Sequence, residues 1–169
     1  YILEFGHNYI RFFKDEGQIT ESNKTITGIT AANPAVVTSN SHGYSNGDFV
    51  IITGVVGMTQ VNGKTFKVAD KTTNTFELQD VDGTDINSSA YTAYSSGGVA
   101  NKIYQITTTY TAAQLDELEF VQSADVLYIV HESHKPRKLS RTGHTVWTLT
   151  DITFVDGPFN APNLTSTTL

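Results

Sequence analysis

Hydrophobic and polar positions alternate in short runs along most of this chain, and Gly, Asn and Asp bound the runs. Alternation with a period of two, over roughly four to eight residues, marks strands with one buried face. Residues 1–5 (YILEF) and 9–13 (YIRFF) are aromatic, β-branched runs on either side of Gly6-His-Asn8, which predicts a hairpin. Residues 14–17 predict a second turn, and Gln18-Ile19 opens another extended segment. His7 falls at the hairpin tip, where a solvated turn residue is expected.

From residue 25 the texture changes to Thr, Gly and Asn. Residues 25–30 (TITGIT) alternate as a half-buried strand, Asn33-Pro34 breaks it, and residues 35–38 start the next. Residues 41–47 (SHGYSNG) form a loop, and 48–53 (DFVIIT) make the most apolar strand of this region, expected at its centre. Strands at 64–68 and 75–78 follow, then a polar, Tyr-bearing return over 87–98. Five or six short strands with turn signals at roughly 8–12-residue spacing predict a small sandwich or barrel. Closure would also remove exposed sheet edges.

Bulkier strands return after residue 100. Residues 103–109 predict a strand, and 111–118 (TAAQLDEL) carry the one helical signal, a Thr cap candidate before good helix formers. Residues 119–122 predict a strand, and from residue 125 three strands, 125–131, 137–141 and 146–150, succeed each other across short turns, with residues 142–144 as the last turn. Such a meander is the unit from which propeller blades are built. The fold class is therefore all-β. A small closed β-barrel (25–98) is inserted in an antiparallel, blade-like host region (1–24 and 99–160) with one short helix, and a polar tail (161–169) follows. The chain opens directly in a strand pattern, which suggests a piece of a longer protein.

Composition narrows the function classes. Hydrophobic residues make up 38% of the 169 positions, enough for packed cores, while charged residues make up only 17%. The net charge of -6 and the lack of a long basic run disfavour nucleic-acid binding as the main role. The absence of cysteine excludes disulfides, thiolate catalysis and Cys-based zinc sites. No apolar run is long enough to span a membrane as a helix.

Few residues carry chemistry. His131-Glu-Ser-His134 offers two imidazoles for a metal, but Pro136 argues against a helix there and a polar hairpin loop accounts for the same spacing. Asp80, Asp82 and Asp85 surround Gly83 like part of a calcium loop, yet Tyr91 stands where the bidentate Glu would be required, so a tight turn is the expected role. Lys135, Arg137, Lys138 and Arg141 are four cations that strand alternation would split between two faces. Ser140, His144 and Asp151 have no elbow motif around the serine, and Asp116 with Glu117 sits in an ordinary helical stretch. No catalytic, cofactor or metal residues are assigned. Core and loop packing is the expected role of Tyr44, Tyr91 and Tyr94; if the 25–98 region binds a glycan or protein, they are the aromatics that would contact it.

Residues 1–13, the segment Tyr110-Thr-Ala-Ala-Gln-Leu with residues 120–131, and Pro136-Arg-Lys-Leu with residues 145–149 together resemble the tail nozzle (tail tubular) proteins of short-tailed bacterial viruses. That resemblance covers about half of the chain and implies a non-enzymatic structural part of a phage or prophage tail. Its partners would be other tail subunits, as a homo-oligomer in the intact protein, and its location the virion or, from a prophage, the bacterial cytoplasm. The alternative it leaves open is a module that binds a carbohydrate or protein on the host surface. Ile29, His42-Gly-Tyr44, residues 47–52, Met58, residues 62–66 and residues 75–78 resemble the small barrel named after the first catalytic cysteine half-domain of ubiquitin-activating enzymes. Without a cysteine, only the barrel of that domain can carry over.

Overall fold

The computed structural model describes residues 1–154 and Gly157; the polar tail expected at 161–169 and the last host residues lie outside them. In chain order the strands are β1 (Ile2–Gly6), β2 (Tyr9–Lys14), β3 (Gly17–Gln18), β4 (Lys24–Thr25), β5 (Gly28–Ile29) and β6 (Val36–Thr38). They continue as β7 (Phe49–Val56), β8 (Lys64–Ala69), β9 (Thr75–Gln79), β10 (Ser96–Lys102) and β11 (Gln105–Thr107). The last four are β12 (Glu119–Ser123), β13 (Val126–His131), β14 (His134–Gly143) and β15 (Val146–Asp151). The helical signal at 111–118 is realised as a 3-10 helix, Ala112–Glu117, and a single 3-10 turn covers Thr59–Val61. The fold is all-β.

Three sheets result. The hairpin β1–β2 turns at His7-Asn8, with Gly6 opposite Tyr9, and β2 also pairs β11 and β3. Asn8 takes the left-handed conformation (φ 63°) that a two-residue hairpin loop requires. The four strands β12-β13-β14-β15 form an antiparallel meander in sequence order. Its inner face carries Ile129 and Leu139, both fully buried, which pack with Ile10 and Phe12 of the hairpin, Tyr110 and Leu118. Phe12 stacks on Trp147 at 4.2 Å, so hairpin sheet and meander form a two-layer body. Alternation put both apolar faces inward, and a sheet face of this kind is stable only when covered by another layer.

The third sheet has the order β4-β10-β7-β8-β9-β6-β5. Its core comprises Ile26, Val37, Val50, Ile52, Met58, Phe66, Phe76 and Leu78 among others. β7 lies between β10 and β8, as the most apolar run should. The expected closed barrel is replaced by a curled sheet whose edge strands β4 and β5 do not pair with each other. They are consecutive pieces of one extended segment: Thr25 pairs Val99 of β10, whereas Ile29 pairs Val37 of β6. The handover falls between Ile26, whose N–H donates to Gly98 O, and Thr27, whose N–H donates to Thr38 O. Staggered strands bring the two edges to this segment at different levels, so it serves each in turn.

The boundary expected at residue 98 is also moved. β10 runs through it, because Gly97 and Gly98 hold positive φ (70° and 94°) inside a strand rather than ending one. The hairpin side and the curled sheet meet where the chain enters and leaves the latter. Tyr104 N–H donates to Ile19 O, Glu21 N–H donates to Lys102 O, and Thr20 bridges Ile103. Lys102 Nζ lies 3.5 Å from Glu21 and 3.3 Å from Asp48, and the Arg11 guanidinium sits over both the Tyr9 and the Phe49 rings.

Candidate interaction surface

The tyrosines named as a possible binding surface pack against the core of the curled sheet to different degrees. Tyr44 is in the core of the curled sheet, its ring edge-on to Phe76 and its hydroxyl donating to the Ala100 carbonyl at 2.9 Å. Burial pushes its phenol well above the usual range, with Glu21 and Asp48 adding to the effect. Tyr91 and Tyr94 are half-buried against the same core, and Tyr94 donates its hydroxyl to Ile26 O and Gly97 O. Their loop folds back over the sheet, so the rings that could stack on a sugar serve packing instead.

The two histidines of the His-x-x-His motif act on the 3-10 helix. His131 Nδ1 accepts the Ser133 N–H at 3.0 Å, which leaves the proton on Nε2, 3.1 Å from the Glu117 carboxylate. His134 Nε2 lies 3.1 Å from Gln114 Oε1, the atom that also accepts the Thr111 N–H. Each imidazole thus ties one residue of the helix to the β13–β14 turn. Burial, then the nearby His131 and Arg137 charges, hold the His134 pKa below its ordinary value. Among the described residues no group of three or more His, Asp or Glu is arranged to hold a metal.

The remaining candidates resolve into structural pairs. Asp80 Oδ1 accepts the N–H groups of Asp82 and Thr84, and Asp85 accepts from Gln79, a turn built from its own side chains. Arg137 binds Asp151 at 3.0 Å and Thr109 at 2.9 Å on the inner face, while its sequence neighbour Lys138 is exposed on the outer one. Arg141 pairs Asp125 at 2.6 Å beneath the Tyr1 ring, and Tyr1 Oη lies 2.6 Å from His144 Nδ1. His144 and Asp151 are therefore held by different partners, and neither has a described bond to Ser140.

The surface that stands out was not singled out from the sequence. Pairing sets Val121, Tyr128, Lys138 and Thr150 in one row across the outer face of the meander, all exposed. Val121 is 69% exposed, Tyr128 38% and Val130 39%, so the β12–β13 half of this face exposes apolar side chains while Lys138, Thr148 and Thr150 make the other half polar. All five residues of β12 are exposed, including Phe120 at 45%. Beside β12 a depression is lined by Glu117, Glu119, Val130, His131 and Glu132. Beside β15, at the same end of the sheet, another is lined by Lys135, Pro136, Asp151, Ile152, Thr153 and Phe154. The signal was present as unusually apolar alternate positions, but which alternate set faces out is decided by the hairpin that covers the other.

Residues 32–103, fewer than half of the chain, match the family model of the ubiquitin-activating enzyme E1 FCCH domain. The match runs from just before β6 to the residue after β10, which supports reading the curled sheet as a module of that type. None of the curated proteins matches the chain.

Proposed function

We propose that this chain is a non-enzymatic structural component of a phage or prophage tail, of the nozzle or tail-tube kind. In this reading the hairpin sheet and the meander form the host body, and the curled sheet is an inserted module that serves as surface decoration or contact. The observation that carries it is the meander, a blade-like sheet with one face packed on the hairpin and the other exposing Val121, Tyr128 and Val130, and with no strand paired to either edge among the described residues. Exposed apolar area of this kind is suited to subunit contact. The adjacency of Ile19 and Tyr104 supports the insertion, since a module carried by a host must enter and leave at one place. The helices give no membrane anchor, for none of those described is long and apolar enough to cross a bilayer. A net charge of -6 suits a part past which DNA must slide without sticking.

The test is the content of purified virus particles made by the genome that encodes the chain. Peptides of this chain should be found in them in a fixed ratio to other tail proteins. Recovery only in the soluble, particle-free fraction of the lysate would overturn the reading. The burial of Tyr44 weighs against the host-surface binding module built on Tyr44, Tyr91 and Tyr94.

A further inference from the structure

The edges of the meander differ from those of most exposed sheets. Natural edges are guarded by Lys, Pro, bulges or a covering segment. Among the described residues β12 has none of these: its sequence is EFVQS, its register with β13 runs unbroken over five pairs, and all five residues are exposed. The irregularities of this sheet lie inside it, between β13 and β14 and between β14 and β15. β15 (VWTLTD) likewise has neither Lys nor Pro, and its one described cover is the Tyr104 hydroxyl, which accepts the Trp147 N–H at 3.1 Å.

We propose that copies of this chain extend the meander from one to the next, the β15 edge of one copy pairing with the β12 edge of its neighbour. The strand directions allow it. Three successive antiparallel pairings make β15 run opposite to β12, so the added strand would continue the antiparallel order. The levels agree as well, because Phe120, Ile129, Arg137 and Asp151 form one row from edge to edge. A strand added in line would bring Ile152 of one copy beside Glu119 of the next.

Charge selects this pairing over the symmetric ones. The β12 side of that level carries Glu117, Glu119 and Glu132. The β15 side carries Lys135, with Asp151 there already paired to Arg137 at 3.0 Å. An in-register antiparallel β12–β12 pair would set Glu119 opposite Ser123, and a β15–β15 pair would hold the two Lys135 side chains at opposite ends, so neither brings Lys135 to the carboxylates. Only the head-to-tail contact brings opposite charges together, and such contacts build rings or filaments rather than closed pairs. The exposed Phe154, 69% accessible, lies in the same depression as Lys135 and supplies apolar area beside the paired strands. The tail reading gives this contact its setting, but the geometry stands without it.

Sedimentation velocity over a concentration series tests the contact, with circular dichroism confirming that each variant is folded. Wild-type chain should self-associate. Glu119→Lys and Lys135→Glu alone should each weaken association by about tenfold or more. The double variant, and an equimolar mixture of the two single variants, should regain it, since both contacts in the mixture join opposite charges. A wild-type chain that stays monomeric at every concentration overturns the proposal, as does Lys135→Glu associating like wild type. Either result leaves the tail reading intact, because that reading is judged on particle content.

Discussion

At the scale of single residues, buried polar atoms define what holds the curled sheet together. Tyr44 reaches through the core to a carbonyl of β10, and it is the sole described side chain bonded to Ala100 O. Tyr44→Phe leaves that buried acceptor without the hydroxyl, and removing one partner of a buried hydrogen bond costs about 1–3 kcal/mol. Urea unfolding should show that loss; an unchanged midpoint would mean that the bond contributes nothing. His134 makes a second prediction. Its pKa in the folded chain is lowered, by burial first and then by His131 and Arg137, so the unfolded chain binds its proton more readily. Stability should therefore fall as pH drops below the unfolded value of 6.5 toward the folded one, and be insensitive to this group above it. Glu117 and Tyr110 also face this cluster, so the share of His134 is read by comparison with His134→Gln. A pH–melting curve should be flatter in that variant, and identical slopes would contradict the assignment.

At the scale of elements, the two faces of the meander should respond differently to truncation. Leu139 is fully buried against the hairpin, so Leu139→Ala should cost about 2–5 kcal/mol. Val121 on the outer face is exposed, and Val121→Ala should stay within about 0.5 kcal/mol in the dilute chain. Equal losses at both positions would mean that the outer face is covered. Most of these elements were legible in the sequence, because hairpin and meander alternate cleanly and their turns are marked by Gly6-His-Asn8 and residues 142–144. β10 was harder to see. Its first residues, Ser96-Gly-Gly98, look like a loop, and only pairing with β7 makes them a strand. The segment at 24–30 looked like one strand of one ladder, and no local pattern reveals that it divides between two edges. Core and loop packing, the role expected first for Tyr44, Tyr91 and Tyr94, is the one they have, Tyr44 buried and the other two half-buried against the core. The helix at 112–117 was visible in its residues, but its attachment through His131 and His134 depends on a contact across the fold.

At the scale of the whole molecule, a two-layer body and a curled sheet share one junction at Ile19–Glu21 and Lys102–Tyr104. Lys102, between Glu21 and Asp48, and Arg11, against Phe49, fasten the two across it. Apolar area is left uncovered on the meander, where a neighbouring subunit would meet it, while charge is sparse and net negative. This combination fits the proposed part, which would assemble with protein and leave DNA unbound. The chain should pass through a DNA column at near-physiological salt without retention, and salt-dependent retention would argue against a wall past which DNA slides. The most direct measurement of the account is where the chain sits in the particle. Gold-labelled antibody raised against it, applied to intact virus particles, should mark the tail; label confined to the capsid, or found on no particle, would contradict the account.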